Sequence, residues 1–534
     1  MRVKFLISAA LPALLLAGCN AGERGSTATS TTASEAYAPE SMVASDVDQA
    51  LPAQNERYAA NAVAPVHAVA DAPVSTFAVD VDTAAYAKVR RFLTQGRMPP
   101  KDAVRAEELV NYFRYDYPLP PDRSAPFSVT TDVAQTPWNP DTRLLRIGLR
   151  GYDLGESRRP AANLIFLVDV SGSMDEPDKL PLIKQALGLV ADNMRPGDHV
   201  SIVVYAGAAG LVLAPTGDPR EVRDALDDLS AGGSTAGGEG IALAYATARA
   251  TFRPDAINRV ILATDGDFNV GITDQKQLEE LIEKNRDDGI TLTTLGFGQG
   301  NLNDAMMESV ADKGNGNYAY IDSLQEARKV LDDELSSTLF TIARDVKVQV
   351  EFNPAEVSQY RLIGYENRAL REEDFQNDKV DAGDIGAGHQ VTAIYEIVPA
   401  GGKGWLPARR YAANQRSATG GEPGELAEVR LRYKLPNGDA SRLIERPIPA
   451  SLLRNAQLPS GDMAFAVSVA AFAQKLRGDT LLADWGYADI RRLAGSQWGF
   501  SRQAWWRSEF LKLVDLADRQ TRTAQRDRPD ERPL

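Results

Sequence analysis

Short apolar runs alternate with amphipathic stretches between about residues 160 and 343. Leu164-Ile165-Phe166-Leu167-Val168 is apolar at every position, the pattern of a strand covered on both faces. Val200 to Tyr205, Val260 to Thr264 and Thr291 to Leu295 read as further strands. Helical spacing fills the gaps over 180–194, 220–229, 240–251 and 278–285, and a long closing helix is expected over 325–342. This order predicts an α/β fold with a doubly wound, mostly parallel, Rossmann-like sheet. Ligands of such sheets sit beyond the carboxyl ends of the strands.

The flanks have a different period. Residues 127–131 and 144–149 read as strands around the turn Pro137-Trp138-Asn139-Pro140. Residues 346–352, 390–398 and 427–433 alternate apolar and polar positions, as half-buried strands do. Together they predict an antiparallel β-sandwich into which the central α/β unit is inserted. Phe77, Val79 and Val81 mark another strand, followed by helices over 84–95 and 103–113. Asp80 and Asp82 are expected in a strand-end turn, with Asp82 or Thr83 capping the first helix. Helices are expected over 463–477, 480–494 and 505–516, with Trp485, Tyr487, Trp498, Trp505 and Trp506 packing a small helical unit. The charged tail after Ala517 is expected to fray.

A length of 534 residues exceeds what one core supports and implies several domains. The net charge of −14 argues against nucleic-acid binding, which needs a basic surface. Three widely separated histidines, His67, His199 and His389, argue against a His-rich zinc site or a Ser-His-Asp hydrolase. His199, at the start of an apolar strand, reads as structural.

The single cysteine, Cys19, excludes an intrachain disulfide. It follows a short basic start (Met1 to Lys4) and an apolar run (Phe5 to Leu16) too short to span a bilayer. Leu16-Ala17-Gly18-Cys19 resembles the lipobox of bacterial lipoproteins. That resemblance implies cleavage before Cys19, its acylation, and anchoring through several chains on one residue. Asn20, where an inner-membrane retention signal usually has Asp, favours the outer membrane.

Asp169-Val170-Ser171-Gly172-Ser173 follows the first central strand. A carboxylate and two hydroxyls gathered at a strand end are hard oxygen ligands, suited to Mg²⁺ or Mn²⁺. The spacing resembles the metal-ion-dependent adhesion site of von Willebrand factor type A (VWA) domains. The Gly-rich stretch from Gly232 to Ile241 resembles that family's threonine-bearing loop, with Thr235 as the match, and Thr264-Asp265-Gly266 resembles its last motif. The resemblance implies a metal held by Asp169, Ser171, Ser173, Thr235 and Asp265, with a protein partner's Asp or Glu completing the site. The Gly-rich loop lacks the Lys-Ser/Thr ending of a nucleotide-binding loop, so no nucleotide is expected.

The expected organisation is a signal peptide over 1–18, a flexible tether over 19–73, an N-terminal α/β region over 74–159, the VWA domain over 160–344, a β-rich domain over 345–455, and a helical region with its tail over 456–534. The flanks also resemble those of bacterial lipoproteins that carry this domain. The leading expectation is a membrane-anchored, metal-dependent protein-binding lipoprotein without catalytic activity. A Mg²⁺/Mn²⁺-dependent hydrolase and a structural envelope protein with a stabilising metal are the alternatives.

Overall fold

The computed structural model describes residues 56–60, 62–154, 159–233, 237–266, 275–334, 337, 339–407, 424–436, 438, 440–495 and 503–526. In chain order the strands are β1 (His67–Ala68), β2 (Val74–Ala78), β3 (Phe127–Gln135), β4 (Arg143–Gly151), β5 (Ala162–Asp169), β6 (His199–Tyr205), β7 (Ala209–Thr216), β8 (Ile257–Thr264), β9 (Ile290–Phe297), β10 (Tyr318–Ile321), β11 (Thr341–Phe352), β12 (Val357–Ile363), β13 (Ala369–Leu370), β14 (Ile385–Gly386), β15 (Gln390–Pro399), β16 (Glu425–Lys434) and β17 (Ser441–Pro449). The helices are α1 (Ala84–Thr94), α2 (Ala106–Asn111), α3 (Leu180–Asp192), α4 (Pro219–Asp227), α5 (Gly237–Ala250), α6 (Gln275–Asp287), α7 (Asp304–Lys313), α8 (Leu324–Arg328), α9 (Ala450–Arg454), α10 (Gly461–Arg477), α11 (Tyr487–Ala494) and α12 (Gln503–Arg526).

Six strands form the central sheet in the order β10-β9-β8-β5-β6-β7. All neighbours are parallel except the β6–β7 hairpin at one edge. β5 lies in the middle, and every one of its residues is buried. One face packs on α5 and α6 through Ile241, Ala244, Tyr245, Leu278 and Ile282. The other packs on α3 and α4 and runs on into the core of the flanking sheets. This is the expected doubly wound architecture, with β5 at the position where a ligand site belongs.

Two antiparallel sheets flank it, in the orders β1-β12-β15-β4-β3 and β13-β2-β11-β16-β17. Strands from both sides of the central unit share them: β4 pairs β15, and β2 pairs β11. Their inner faces meet through Phe127 against Tyr433 and Phe352 against Tyr395, with ring centroids 5.1 and 5.3 Å apart. The central domain is therefore inserted in a sandwich completed by residues on either side of it. Helices α1, α2 and α10–α12 build a separate aromatic core around Phe113, Phe465, Phe472 and Phe510. Trp485 packs edge-on against Trp138 and Trp506 against Tyr112, while Trp505 is 46% exposed. Trp498 lies outside the described residues.

Several expectations need correction. The long helix over 325–342 is not formed: α8 ends at Arg328, a π-type turn covers Lys329–Asp333, and Thr341 already belongs to β11. Pairing with β14 at Thr341 and Ala343 claims the start of that strand over local helical periodicity. The helix expected from residue 480 is a short 3-10 turn (Thr480–Leu482) followed by α11. The tail does not fray at Ala517, because α12 continues to Arg526. The part of the expected tether from residue 56 onward docks on the fold. Glu56 pairs with Arg91 at 2.7 Å, and β1 adds to β12.

Asp82 does not cap α1. Thr83 occupies the N-cap position without a side-chain cap, and Asp82 Oδ1 accepts the Tyr318 backbone N–H at 2.9 Å. Asp80 Oδ1 accepts the Asp82 backbone N–H at 2.9 Å, the expected turn after β2, and both carboxylates also belong to a buried ionic junction. Arg368 reaches Asp80 at 3.2 Å, Asp82 at 3.6 Å and Glu308 at 3.1 Å, and also pairs with Asp312. Arg105 pairs with Glu108 at 2.7 Å, Asp304 at 3.0 Å and Glu308 at 2.5 Å, while Lys88 pairs with Asp304. Helix α7 of the central domain is thus held by cations from both flanks.

Candidate functional site

Parallel pairing sets the floor of the site. Val168 of β5 stands opposite Ala263 of β8, and Asp169 opposite Tyr205 of β6. Asp169 therefore emerges at the carboxyl end of the central strand, beside Thr264. Its Oδ1 accepts the Ser171 backbone N–H at 2.9 Å, which folds the chain into a tight turn. Its Oδ2 accepts the Thr264 hydroxyl at 3.1 Å. The turn brings the Ser171 and Ser173 hydroxyl oxygens to 3.1 Å from each other.

The Gly-rich loop is stitched to this turn by backbone. Gly172 N–H donates to Gly233 at 3.0 Å, and Gly232 N–H donates to Val170 at 2.8 Å. Gly233 has a φ of +86°, which an L side chain rarely adopts. Further on, a Cβ at Gly240 would lie 2.8 Å from the Tyr205 Cβ, so the start of α5 closes on β6 only as glycine. Thr235 lies outside the described residues.

Asp265 follows β8 and is 1% exposed. Its Oδ2 accepts the Lys179 ammonium at 3.1 Å, and the same ammonium donates to the Ser173 carbonyl at 2.9 Å. The structure thus brings Asp169, Ser171, Ser173 and Asp265 to one end of the sheet. Burial pushes the Asp169 carboxyl up to about 6 despite the hydrogen bonds from Ser171 that pull it down, and the Asp265 charge adds to the rise. Burial and the neighbouring Asp169 also push the Tyr205 hydroxyl well above its usual range.

The donor set is mixed, with two carboxylates and two hydroxyls. Among the described residues no cluster of three or more His, Cys, Asp or Glu side chains could hold a metal. A hard cation that keeps octahedral geometry at about 2.1 Å places neighbouring oxygens about 3.0 Å apart. The Ser171–Ser173 separation of 3.1 Å fits such an edge.

Comparison with known proteins places these features. The chain is 46% identical over 462 residues to the uncharacterized protein YfbK of Escherichia coli, covering 85% of this chain and 80% of that protein. The chain belongs to the YfbK family. The YfbK C-terminal model matches residues 337–520, and a von Willebrand factor model matches residues 52–146. The von Willebrand factor type A domain model matches residues 163–333, which contain the whole site. An uncharacterized Synechocystis protein, sll0103, is 31% identical over 35% of this chain and 43% of its own length. Among solved structures, a von Willebrand factor type A protein of Catenulispora acidiphila covers 68% of this chain and 81% of its own at 16% identity, with a TM-score of 0.39. The ArnB paralog VWA2 of Sulfolobus acidocaldarius covers 74% and 93% at 15% identity, with a TM-score of 0.33.

In this YfbK-family chain, sequence reasoning missed Lys179 and Thr264. Thr264 was visible as the last residue of a buried strand. Lys179 carried one weak signal, a cation at a helix start, where the helix dipole disfavours it.

Proposed function

We propose that this YfbK-family protein is a divalent-cation-dependent protein-binding module, held at the bacterial envelope by lipid on Cys19. One observation carries the reading: the oxygen donors of Asp169, Ser171, Ser173 and Asp265 stand together at the ends of adjacent parallel strands. In the proposal these residues and Thr235 hold Mg²⁺ or Mn²⁺. The bound ion would supply a Lewis-acidic position open to a carboxylate. Asp169 and Asp265 balance its charge, and the neutral serine hydroxyls add none, so an anionic side chain of a partner remains attractive there. The Ser171 N–H and Thr264 hydroxyl fix the Asp169 carboxylate, so little ordering is left to the moment of binding. The partner is a protein that presents Asp or Glu on an exposed loop.

Anchoring rests on the lipobox ending at Cys19, and its outer-membrane side on Asn20. Among the described residues no helix is long and apolar enough to cross a membrane.

The test is crosslinked capture from envelope extract with the full chain, in Mg²⁺ or in chelator, beside the Asp169→Ala chain. A partner retained only by the wild-type chain in Mg²⁺, and lost when its Asp or Glu is replaced, is the expected result. Capture that is equal in chelator and in the variant contradicts the proposal.

A further inference from the structure

Lys179 is a buried cation with an odd position. It stands at the N-cap of α3, 4% exposed, and makes no cap hydrogen bond with its side chain. Helix N-termini favour anions and short polar caps, so nothing in the helix asks for lysine here. Its φ of −116° and ψ of −113° lie outside both helical and extended backbone. The side chain leaves the helix and ends between the Ser173 carbonyl and Asp265 Oδ2, at 2.9 and 3.1 Å.

A second, independent feature builds this path. Gly298 follows β9 with a φ of +69°, and a Cβ there would lie 2.4, 2.6 and 2.9 Å from Cγ, Cε and Cδ of Lys179. The aliphatic stem of the lysine therefore runs through space that only glycine leaves open. The Gly298 carbonyl is held from behind by the Tyr320 hydroxyl at 2.5 Å and by Arg91 at 3.3 Å. Arg91 in turn is paired with Glu56. The N-terminal flank thus fixes the loop on which the lysine rests.

We propose that the Lys179 ammonium competes with the divalent ion for Asp265 and thereby sets the affinity of the site, with Gly298 as the cradle that seats it. The inference rests on the metal reading above. One ammonium against two carboxylates already cancels half of the charge that draws a cation in. A divalent ion must share Asp265 with that ammonium or displace it, and either course weakens binding. The site is then tuned to bind only where Mg²⁺ is abundant.

Calorimetric titration of the full chain with Mg²⁺, and thermal unfolding in Mg²⁺ or EDTA, test this on wild type, Lys179→Met and Lys179→Arg. Lys179→Met keeps the stem and removes the charge. It should bind Mg²⁺ at least tenfold tighter, melt lower than wild type in EDTA because the Lys179 ammonium no longer offsets the buried Asp265 charge, and gain more from Mg²⁺ by mass action. Lys179→Arg keeps the charge and should stay within about threefold of wild type. If Lys179→Met does not fold, Lys179→Gln gives the same reading. A folded, uncharged variant with wild-type or weaker Mg²⁺ affinity overturns the role of Lys179 and leaves the metal site standing. Folded wild type and variant that both fail to bind Mg²⁺ and Mn²⁺ overturn the two readings together.

Discussion

Replacing Arg368 with methionine removes the central cation of the junction that holds α7. The guanidinium is within 3.2 Å of Asp80, 3.6 Å of Asp82 and 3.1 Å of Glu308, whose side chains are 3%, 5% and 10% exposed. Burial already pushes Asp82 well above the usual carboxylate range and Glu308 up to about 7, even with arginine beside them. Breaking such a buried cluster by removing one partner costs about 3–5 kcal/mol, because the remaining charges stay buried. Arg105 shares Glu308 and keeps the loss from exceeding that range. Urea unfolding followed by tryptophan fluorescence reads the effect. The sign with pH follows from linkage. Without Arg368 the carboxyls rise further in the folded state, so folding retains protons that the unfolded chain releases, and stability falls as pH rises. The loss should be largest near pH 8 and smaller near pH 5. A loss under about 1 kcal/mol at pH 8, against the 3–5 expected for a buried cluster, or a loss independent of pH, would refute the account of the junction.

Asp384 gives a second pH signature: its Oδ2 is buried without a hydrogen bond, and burial raises its carboxyl to about 8. Wild-type stability should fall as pH rises from the unfolded value toward about 8, by at most about 1.4 kcal/mol per pH unit from this group. Asp384→Asn should remove that slope in urea titrations at several pH values, and an unchanged slope would sink the assignment. Cys19→Ser should leave uncleaved, unlipidated precursor; a mature-sized variant that still fractionates with membranes would contradict lipid anchoring. Thr235→Ala should weaken Mg²⁺ binding less than Asp169→Ala, since water replaces one neutral hydroxyl, yet still reduce partner capture in the pull-down. Equal capture would remove Thr235 from the site.

The central sheet was legible because β5, β6 and β8 carry apolar runs covered on both faces, a signal that needs no knowledge of neighbours. The hairpin strand β7 was not, since its short apolar run Leu211-Val212-Leu213-Ala214 lies between Gly210 and Pro215, which read as turn residues, and sits at the sheet edge with Leu211 and Val212 exposed. Residues 341 and 342 were expected as the end of a helix, but pairing with β14 made them strand. The sandwich strands showed their period of two, and the junction of Asp80 and Asp82 with Arg368 did not, because its members lie nearly 290 positions apart. The same contrast holds within the site. Asp169, Ser171 and Ser173 fall in one local turn and could be read together. Lys179 meets Asp265 across 86 positions, along a path opened by Gly298, and no local pattern carries that.

Mg²⁺ titration of the full chain against its Asp169→Ala variant tests the metal site most directly. Asp169 supplies one of two balancing charges and lies at the open end of the sheet, so its loss should weaken Mg²⁺ at least tenfold, about 1.4 kcal/mol or more, and leave the fold intact by circular dichroism. Equal Mg²⁺ affinity in the two folded chains would contradict the account.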